Sequence, residues 1–186
     1  TQAIRRRNAT RSHGGGPDGP GLLSAGAAAC VRLYQVLAGP LLARFGHVTL
    51  PPPGGDVIGR RRMDTHFLAF EALGATVQLT GDFTIEAAAL KGADMFLDEP
   101  SVTGTENAIM AAVRAKGASR IRNAAAEPHV QDLCNLLNAM GASIRGIGTG
   151  ILDIEGVERL AGTRFHIGAD HIETGSFIGL AAVTRS

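Results

Sequence analysis

The chain has 186 residues and a net charge of +1, with 45% hydrophobic and 19% charged residues. This composition is typical of a globular protein with a core of its own rather than of a disordered chain. The low net charge and the 4% of aromatic residues argue against a nucleic-acid-binding protein, which needs a basic field and rings for stacking. No apolar run reaches about 18 residues, so no membrane partner is expected.

Residues 1–20, TQAIRRRNATRSHGGGPDGP, differ from the rest because they are rich in Arg, Gly and Pro and lack hydrophobic periodicity. This pattern predicts disorder or a non-native leader, with a basic arm that touches RNA as the alternative. The arginines lead into glycines instead of an apolar segment, which argues against a secretory signal. Cys30 and Cys134 follow no metal or redox spacing, which predicts free thiols in a reducing compartment.

From residue 21 the pattern becomes regular. Residues 21–46 predict a helix broken near Gly39-Pro40, since proline does not fit a helix interior. A short strand (HVTLP) and a Pro/Gly loop (PPPGGD) follow, and DTHFLAFEALG has the apolar spacing of a helix that ends at a glycine. The next predicted elements are a hairpin at ATVQLTGDFTIEAA, a strand at ADMFLDEPSV, and a helix at TENAIMAAVRAKG with Thr105 as its N-cap.

The same order of elements then returns. RIRNAAAE predicts a strand and a loop, HVQDLCNLLNAMG a helix, ASIRGIGTGILDIEG a hairpin, TRFHIGAD a strand and IETGSFIGLAAVT a helix. LGA at 73–75 matches MGA at 140–142, Glu106 matches Glu173, and Gly46 matches Gly117. This internal repeat of roughly 70 residues is too complex for a solenoid of paired helices. It predicts a compact, pseudo-symmetric α/β domain with helices on one side of the strands.

Several long segments, in the right order, resemble the enolpyruvyl transferase family in its UDP-N-acetylglucosamine 1-carboxyvinyltransferase branch. They are GPLLARFGHVTLPPPGGDVIG, DTHFLAFEALGA, PSVTGTEN, NAAAEPHVQDLCNLLNAMGA, IEGVERL and HIETGSF. The resemblance implies an α/β (α+β) fold, the inside-out α/β barrel domain built from three repeated units. Residues 21–186 would form one such domain, incomplete, with the second domain of the family absent.

The activity implied by the resemblance is transfer of the enolpyruvyl group of phosphoenolpyruvate to the 3-hydroxyl of UDP-N-acetylglucosamine, with release of phosphate. This is the first committed step of peptidoglycan synthesis in the bacterial cytoplasm, and it needs no metal and no organic cofactor. The family's active site lies between two domains, and its N-terminal Lys-Asn pair has no match here. The chain alone is therefore expected to have little or no turnover, and a partner chain could supply the missing half.

Asp56 matches the family's loop position, usually Cys and less often Asp, that is proposed to act as a general acid or in product release. An acid role requires a pKa raised by desolvation when the loop closes. The alternative is an ordinary turn aspartate, because Gly-Gly-Asp is common in turns. A carboxylate is a poor nucleophile toward an epoxide compared with a thiolate, so the sequence predicts resistance to fosfomycin.

The substrate-binding residues implied by the resemblance include two arginines, whose guanidinium groups suit phosphate. Arg61 follows the loop residue by five positions, and Arg32 matches an arginine near the phosphoenolpyruvate site. The alternative for Arg60 to Arg62 is a solvated surface patch.

Five further positions match segments that contact the nucleotide sugar. Asp64 and His66 match the segment around uracil and ribose, with a helix cap and a partly buried helix residue as the alternatives. Ser101, Val102 and Thr103 form a strand-to-helix turn, where free N–H groups suit anions. The family usually has glycine in place of Thr103, whose side chain is expected to hinder close backbone approach to a diphosphate.

Four residues in strongly matching segments are interpreted as structural caps and turns: Asn123, Glu127, Glu173 and Thr174. Two other functions stay open from the sequence. One is a 5-enolpyruvylshikimate 3-phosphate synthase-like enzyme, which shares the fold and the donor; the PGGDVIG loop, NAAAEP and IETGSF favour the UDP-sugar enzyme instead. The other is a non-catalytic UDP-sugar-binding remnant. An incomplete or mis-started reading frame is a third explanation for the unmatched first 30 residues.

Overall fold

The computed structural model describes residues 32–51 and 63–185, and the side chains of residues 32–34 and of Thr80 are outside that description. The predictions for residues 1–20, for the first part of the helix from residue 21 and for the Pro/Gly loop therefore lie outside the described residues. Asp56 and Arg61 are therefore also outside the described residues.

The described part of the chain contains one 3-10 helix, five α-helices and seven β-strands. The 3-10 helix spans Arg32–Leu37 and leads directly into the first α-helix. The α-helices are α1 Ala38–Phe45, α2 Asp64–Ala72, α3 Val102–Ala112, α4 Pro128–Ala139 and α5 His171–Thr184. The strands are β1 His47–Leu50, β2 Thr76–Thr80, β3 Asp82–Glu86, β4 Asp94–Phe96, β5 Ala118–Arg122, β6 Ser143–Arg145 and β7 Ile151–Glu155.

The two sheets confirm the predicted repeat. The order α1-β1-α2-β2-β3 returns as α3-β5-α4-β6-β7, and the strand order β1-β3-β2 returns as β5-β7-β6, antiparallel in both cases. Strand β4 adds to the second sheet by pairing parallel with β5. Gly74 and Gly141 follow the matching helices with φ of 89° and 102°, a left-handed conformation that glycine adopts without strain.

Helix α3 lies at the centre of the core and contacts α1, α2 and α4. Its residues Ala108, Ile109, Ala111 and Ala112 are fully buried. The strands present one face to this helical layer and the other to solvent, as the alternation of buried and exposed residues along β5 and β7 shows. The packing of α1, α2 and α4 on α3, with the sheets outside, agrees with the α/β architecture expected from the repeat.

The helix predicted to break near Gly39-Pro40 continues through both residues. The 3-10 helix ends at Leu37, and Pro40 is the third residue of α1. The prediction was wrong because a residue in the first turn has no intrahelical acceptor for its N–H, so the missing N–H of proline costs no hydrogen bond there. The change from 3-10 to α geometry occurs just before it.

The N-cap of α3 is Ser101 and not Thr105. The Ser101 Oγ accepts a hydrogen bond from Gly104 N at 3.2 Å, and its backbone is extended, as an N-cap requires. Thr105 is completely buried inside the first turn, and its Oγ1 accepts from Ala125 N at 3.0 Å. This threonine therefore connects α3 to the loop after β5 instead of starting the helix.

The strand predicted at residues 163–170 is also wrong, because this segment has no regular structure. A strand needs a neighbour to satisfy its backbone groups. The corresponding strand β4 pairs with β5, whereas no described strand pairs with residues 163–170. The helix that follows, α5, has no buried residue. No helix within the described ranges is both long and apolar enough to cross a membrane.

Candidate functional site

The amino termini of α2 and α3 meet at the end of β4 and form the candidate site. Thr65 in the first turn of α2 donates from Oγ1 to Asp98 Oδ1 at 2.6 Å, across the loop that connects β4 to α3. His66 lies 3.3 Å from the Oγ1 of Thr103, in the first turn of α3. These contacts place the two segments DTH and PSVTGTEN side by side.

Gly104 makes this close approach possible. A Cβ atom at this position would lie 3.0 Å from Thr65 Cγ2 and 3.1 Å from both Ser101 Cβ and Oγ. These distances are shorter than ordinary van der Waals contacts. The glycine therefore lets the first turn of α3 pack against Thr65 while Ser101 caps the helix.

His66 is buried, with 3% of its surface exposed. Burial lowers the pKa of this imidazole to about 4 because the charged form loses its hydration. The ring is therefore neutral near pH 7, and its two nitrogens have different hydrogen-bonding roles. Its Nδ1 lies 2.8 Å from the Nδ2 of Asn107, one turn further along α3 than Thr103.

The structure brings four of the predicted site residues together: His66, Ser101, Val102 and Thr103. Thr103 is exposed and Ser101 and Val102 are half-buried, so the turn is accessible from solvent. Asp64 is exposed and is the first residue of α2, while Met63 occupies the N-cap position. Asp64 is therefore not the N-cap residue itself, and a carboxylate in the first turn interacts favourably with the helix dipole.

The three remaining candidates cannot be placed in the site by their side chains. The backbone of Arg32 begins the 3-10 helix beside α1, and its side chain is outside the described part. Asp56 and Arg61 belong to residues 52–62, which are not described. Their roles stay predictions.

Sequence reasoning missed three residues that shape the site: Thr65, Asp98 and Asn107. Asn107 is completely buried in an otherwise apolar stretch of α3, NAIMAA. A polar residue inside an apolar helix was the available signal, because a buried amide must find partners. The contact of Thr65 with Asp98 spans 33 positions and left no local pattern.

Three of the residues interpreted as structural lie at a turn or at the start of a helix. Asn123 has a left-handed backbone with φ of 59°, and its Nδ2 donates to Leu97 O at 2.9 Å. Thr174 Oγ1 donates to Asp170 O at 2.8 Å inside α5. Glu127 occupies the N-cap position of α4 without a capping side-chain bond. The pKa of the neighbouring Glu106 is raised, mainly by burial, although His129 opposes the shift and Glu127 adds to it.

The arrangement suits an anionic ligand. The first N–H groups of α2 and α3 have no intrahelical acceptor by their position, and both helix dipoles favour negative charge at this end. The hydroxyl of Thr103 and the neutral imidazole of His66 add polar groups next to these amides. Within residues 32–51 and 63–185, no group of three or more His, Cys, Asp or Glu side chains could hold a metal ion.

Comparison with known proteins identifies relatives over most of the chain. The sequence profile described as EPSP synthase (3-phosphoshikimate 1-carboxyvinyltransferase) matches residues 22–186. UDP-N-acetylglucosamine 1-carboxyvinyltransferase from Treponema pallidum is 64% identical over 159 residues, which cover 86% of this chain and 37% of the relative. The protein of the same name from Bradyrhizobium diazoefficiens is 62% identical over 159 residues, 84% of this chain and 37% of the relative.

Solved structures of enolpyruvyl transferases share the fold. EPSP synthase from Acinetobacter baumannii has a TM-score of 0.61 at 22% identity, covering 80% of this chain and 33% of that chain. The enolpyruvyl transferase NikO from Streptomyces tendae has a TM-score of 0.57 at 18% identity, covering 68% and 30%. The chain thus spans between a quarter and two fifths of the length of these relatives and structures.

Proposed function

Since this chain belongs to the family described as EPSP synthase (3-phosphoshikimate 1-carboxyvinyltransferase), whose members are enolpyruvyl transferases, we propose that it forms part of a UDP-N-acetylglucosamine 1-carboxyvinyltransferase. The reaction transfers the enolpyruvyl group of phosphoenolpyruvate to the 3-hydroxyl of UDP-N-acetylglucosamine and releases phosphate. It is the step that opens bacterial peptidoglycan synthesis, in the cytoplasm.

The observation that carries this proposal is the meeting of DTH and PSVTGTEN at two helix amino termini. His66 and Thr103 are 3.3 Å apart although 37 positions separate them. A site of this kind suits the diphosphate of a nucleotide sugar, because amide dipoles and hydroxyl donors face the ligand from two sides. Relatives at 54% to 64% identity carry the name of the UDP-sugar enzyme, which favours that substrate over shikimate 3-phosphate.

The roles of the individual residues follow from their chemistry. Arg32 and Arg61 bind phosphate groups through paired N–H donors. Asp64, His66, Ser101, Val102 and Thr103 hold the nucleotide sugar. Asp56 protonates phosphoenolpyruvate as a general acid once loop closure removes water and raises its pKa. The family's second domain completes the site, so the 186 residues alone bind the sugar nucleotide without turnover.

The binding half of the proposal is tested by ligand-observed NMR titration of the purified chain with UDP-N-acetylglucosamine. Saturable binding is expected, with none for shikimate 3-phosphate and a large loss in Arg61→Ala. The matched control is Arg114→Ala, two residues beyond the carboxyl end of α3, which should bind as the wild type does. Binding of shikimate 3-phosphate alone would favour the sister enzyme. If neither ligand binds to the folded chain, the preformed half-site is contradicted.

Asp56 is tested with fosfomycin, the epoxide that alkylates the family's usual loop cysteine. Incubation followed by mass spectrometry is expected to leave Asp56 unmodified, whereas Asp56→Cys gains one adduct because a thiolate opens an epoxide readily. The variants are compared on a Cys30→Ser background so that the added thiol is distinguished. Modification of Asp56 in the wild type would contradict the predicted resistance.

A further inference from the structure

The side chain of Asn107 makes three hydrogen bonds inside the core. Its Oδ1 lies 2.7 Å from Gly39 N, and its Nδ2 lies 2.8 Å from Gln35 O and 2.8 Å from His66 Nδ1. The backbone N–H of Gly39 can only donate, and the carbonyl of Gln35 can only accept. These two partners fix which end of the amide is oxygen and which is nitrogen.

The orientation of the amide determines the tautomer of His66. One hydrogen of the Asn107 Nδ2 points to Gln35 O, so the other points to His66 Nδ1, which must accept it. A neutral imidazole that accepts at Nδ1 carries its proton on Nε2. The ring is 3% exposed, and burial disfavours the doubly protonated form in which both nitrogens donate.

The Nε2–H then points at the candidate site. The hydrogen-bond partner of His66 Nε2 is the Oγ1 of Thr103, at 3.3 Å. A threonine hydroxyl that accepts from a ring N–H keeps its own proton free to donate elsewhere. Thr103 is exposed at the first turn of α3, so that proton is available to a ligand beside the helix amino terminus.

We propose that Asn107 is a positioning residue that holds His66 as the Nε2–H tautomer, so that His66 donates to Thr103 and the Thr103 hydroxyl donates to an anionic ligand. The tautomer part stands on the geometry of the core alone. The ligand part rests on the function proposed above, and it names a phosphate oxygen of a sugar nucleotide as the acceptor. It also assigns a binding role to a threonine at a position where the family usually has glycine.

The tautomer is measured directly by long-range ¹H–¹⁵N correlation NMR of the full chain labelled with ¹⁵N-histidine. At about pH 7 the His66 Nδ1 is expected at the shift of an unprotonated nitrogen and Nε2 at that of a protonated one. The opposite assignment, or an averaged pair of shifts, would overturn the proposal without any variant.

Asn107→Asp is the matched variant because it keeps the shape and the acceptor for Gly39 N but removes the donor to His66. The expected result is protonation of Nδ1, which then donates to the new carboxylate, visible as a change of the Nδ1 shift. A His66 that stays in the Nε2–H form in a folded Asn107→Asp protein would overturn the role of Asn107. Circular dichroism confirms folding, and if the variant does not fold, the wild-type spectrum still decides the tautomer.

The ligand part is tested with UDP-N-acetylglucosamine as the probe. Thr103→Val keeps the branched shape and removes the hydroxyl, whereas Thr103→Ser keeps the hydroxyl. Loss of one hydrogen bond to a charged group predicts roughly a tenfold weaker affinity for the valine variant, and an affinity near that of the wild type for serine. Equal affinities of wild type and Thr103→Val would overturn this part.

The outcomes separate the two proposals. If the wild type does not bind UDP-N-acetylglucosamine, the proposed function and the ligand part fail together, while the tautomer result still supports or overturns the role of Asn107. If the ligand binds and His66 is found as the Nδ1–H form, the proposed function stands and the positioning by Asn107 fails.

Discussion

Helices α3 and α5 hold matching places in successive repeats, as Glu106 and Glu173 do in the sequence, yet their surroundings are opposite. α3 is packed on by α1, α2 and α4 and has seven buried residues. α5 has none, and exposes Ile172, Phe177, Ile178, Leu180 and Val183. A helix that is apolar all round is normally a buried one. The comparison shows that an apolar composition alone does not bury a helix. Burial also requires neighbouring elements that pack against it.

The two helices also start differently. The N-cap of α3 is the hydroxyl of Ser101, whereas that of α5 is the carboxylate of Asp170, which accepts from Ile172 N at 2.8 Å and Glu173 N at 3.1 Å. His171 stacks on His129 of α4 with ring centroids 5.7 Å apart. The cap and this ring contact hold only the beginning of α5, so most of its stability must come from local interactions.

The largest expected difference concerns isoleucine truncation. Ile109→Ala in α3 removes a completely buried side chain and is expected to lower the free energy of unfolding by about 2–5 kcal/mol. Ile178 in α5 is 65% exposed. Ile178→Ala is expected to change the free energy of unfolding by less than about 0.5 kcal/mol. Urea unfolding midpoints measure both. Equal losses would mean that α5 is packed in solution, and the contrast between the two helices would be wrong.

A smaller effect is expected from adding a methyl group to glycine. In Gly39→Ala the new Cβ would lie 2.5 Å from Asn107 O of α3, so overpacking is expected to cost about 1–3 kcal/mol. In Gly179→Ala of α5 the Cβ meets no atom within 4 Å. Alanine is the better helix former by about 0.5–1 kcal/mol, so amide exchange in α5 should slow while the urea midpoint stays unchanged. Faster exchange in Gly179→Ala would contradict an unpacked α5.

The smallest effect is the response of the two caps to acid. Hydrogen bonds from Glu173 N and Ile172 N lower the pKa of Asp170 in the folded state. A lowered pKa means that the cap is present above the ordinary aspartate pKa and is lost as the pH falls through the folded value. Amide exchange in α5, corrected for its intrinsic pH dependence, should show protection falling with acid. The cap of α3 should not respond, since serine does not titrate, and any acid response of α3 is assigned to Glu106 and to His66 beside it, whose pKa values are raised and lowered by burial.

Asp170→Asn is the control for the acid response. Asparagine is also a good N-cap but has no titrating group in this range, so α5 protection in this variant should not depend on pH. A response of the same size in Asp170→Asn would assign the acid effect to another group.

Much of the fold could be predicted because its signals are local. The matching segments Leu-Gly-Ala and Met-Gly-Ala, each at the end of a predicted helix, indicated the internal repeat. Gly74 and Gly141 in these segments adopt the left-handed conformation expected after a helix. The errors came from residues whose partners are distant. Thr105 is a residue type that commonly caps helices, but its Oγ1 accepts a hydrogen bond from Ala125 N. Residues 163–170 alternate like a strand, but no described strand pairs with them.

The candidate site was predictable only in part for the same reason. The motif residues His66 and Ser101 to Thr103 could be named from their segments, but their contact across 37 positions could not. The hydrogen bonds of Asn107 to Gln35, Gly39 and His66 span 72, 68 and 41 positions. No pattern within one helix specifies such partners, so the hydrogen-bonding role of His66 became visible only in the fold.

Cys134 of α4 is 1% exposed, and burial raises the pKa of its thiol to about 11. A thiol that is both enclosed and protonated reacts with an alkylating reagent only during moments when the surrounding structure opens. On a Cys30→Ser background, the rate at which Cys134 is labelled therefore counts the openings of the second repeat. Cys134 is thus a built-in probe of local opening, and it lies in the repeat that precedes the exposed helix α5.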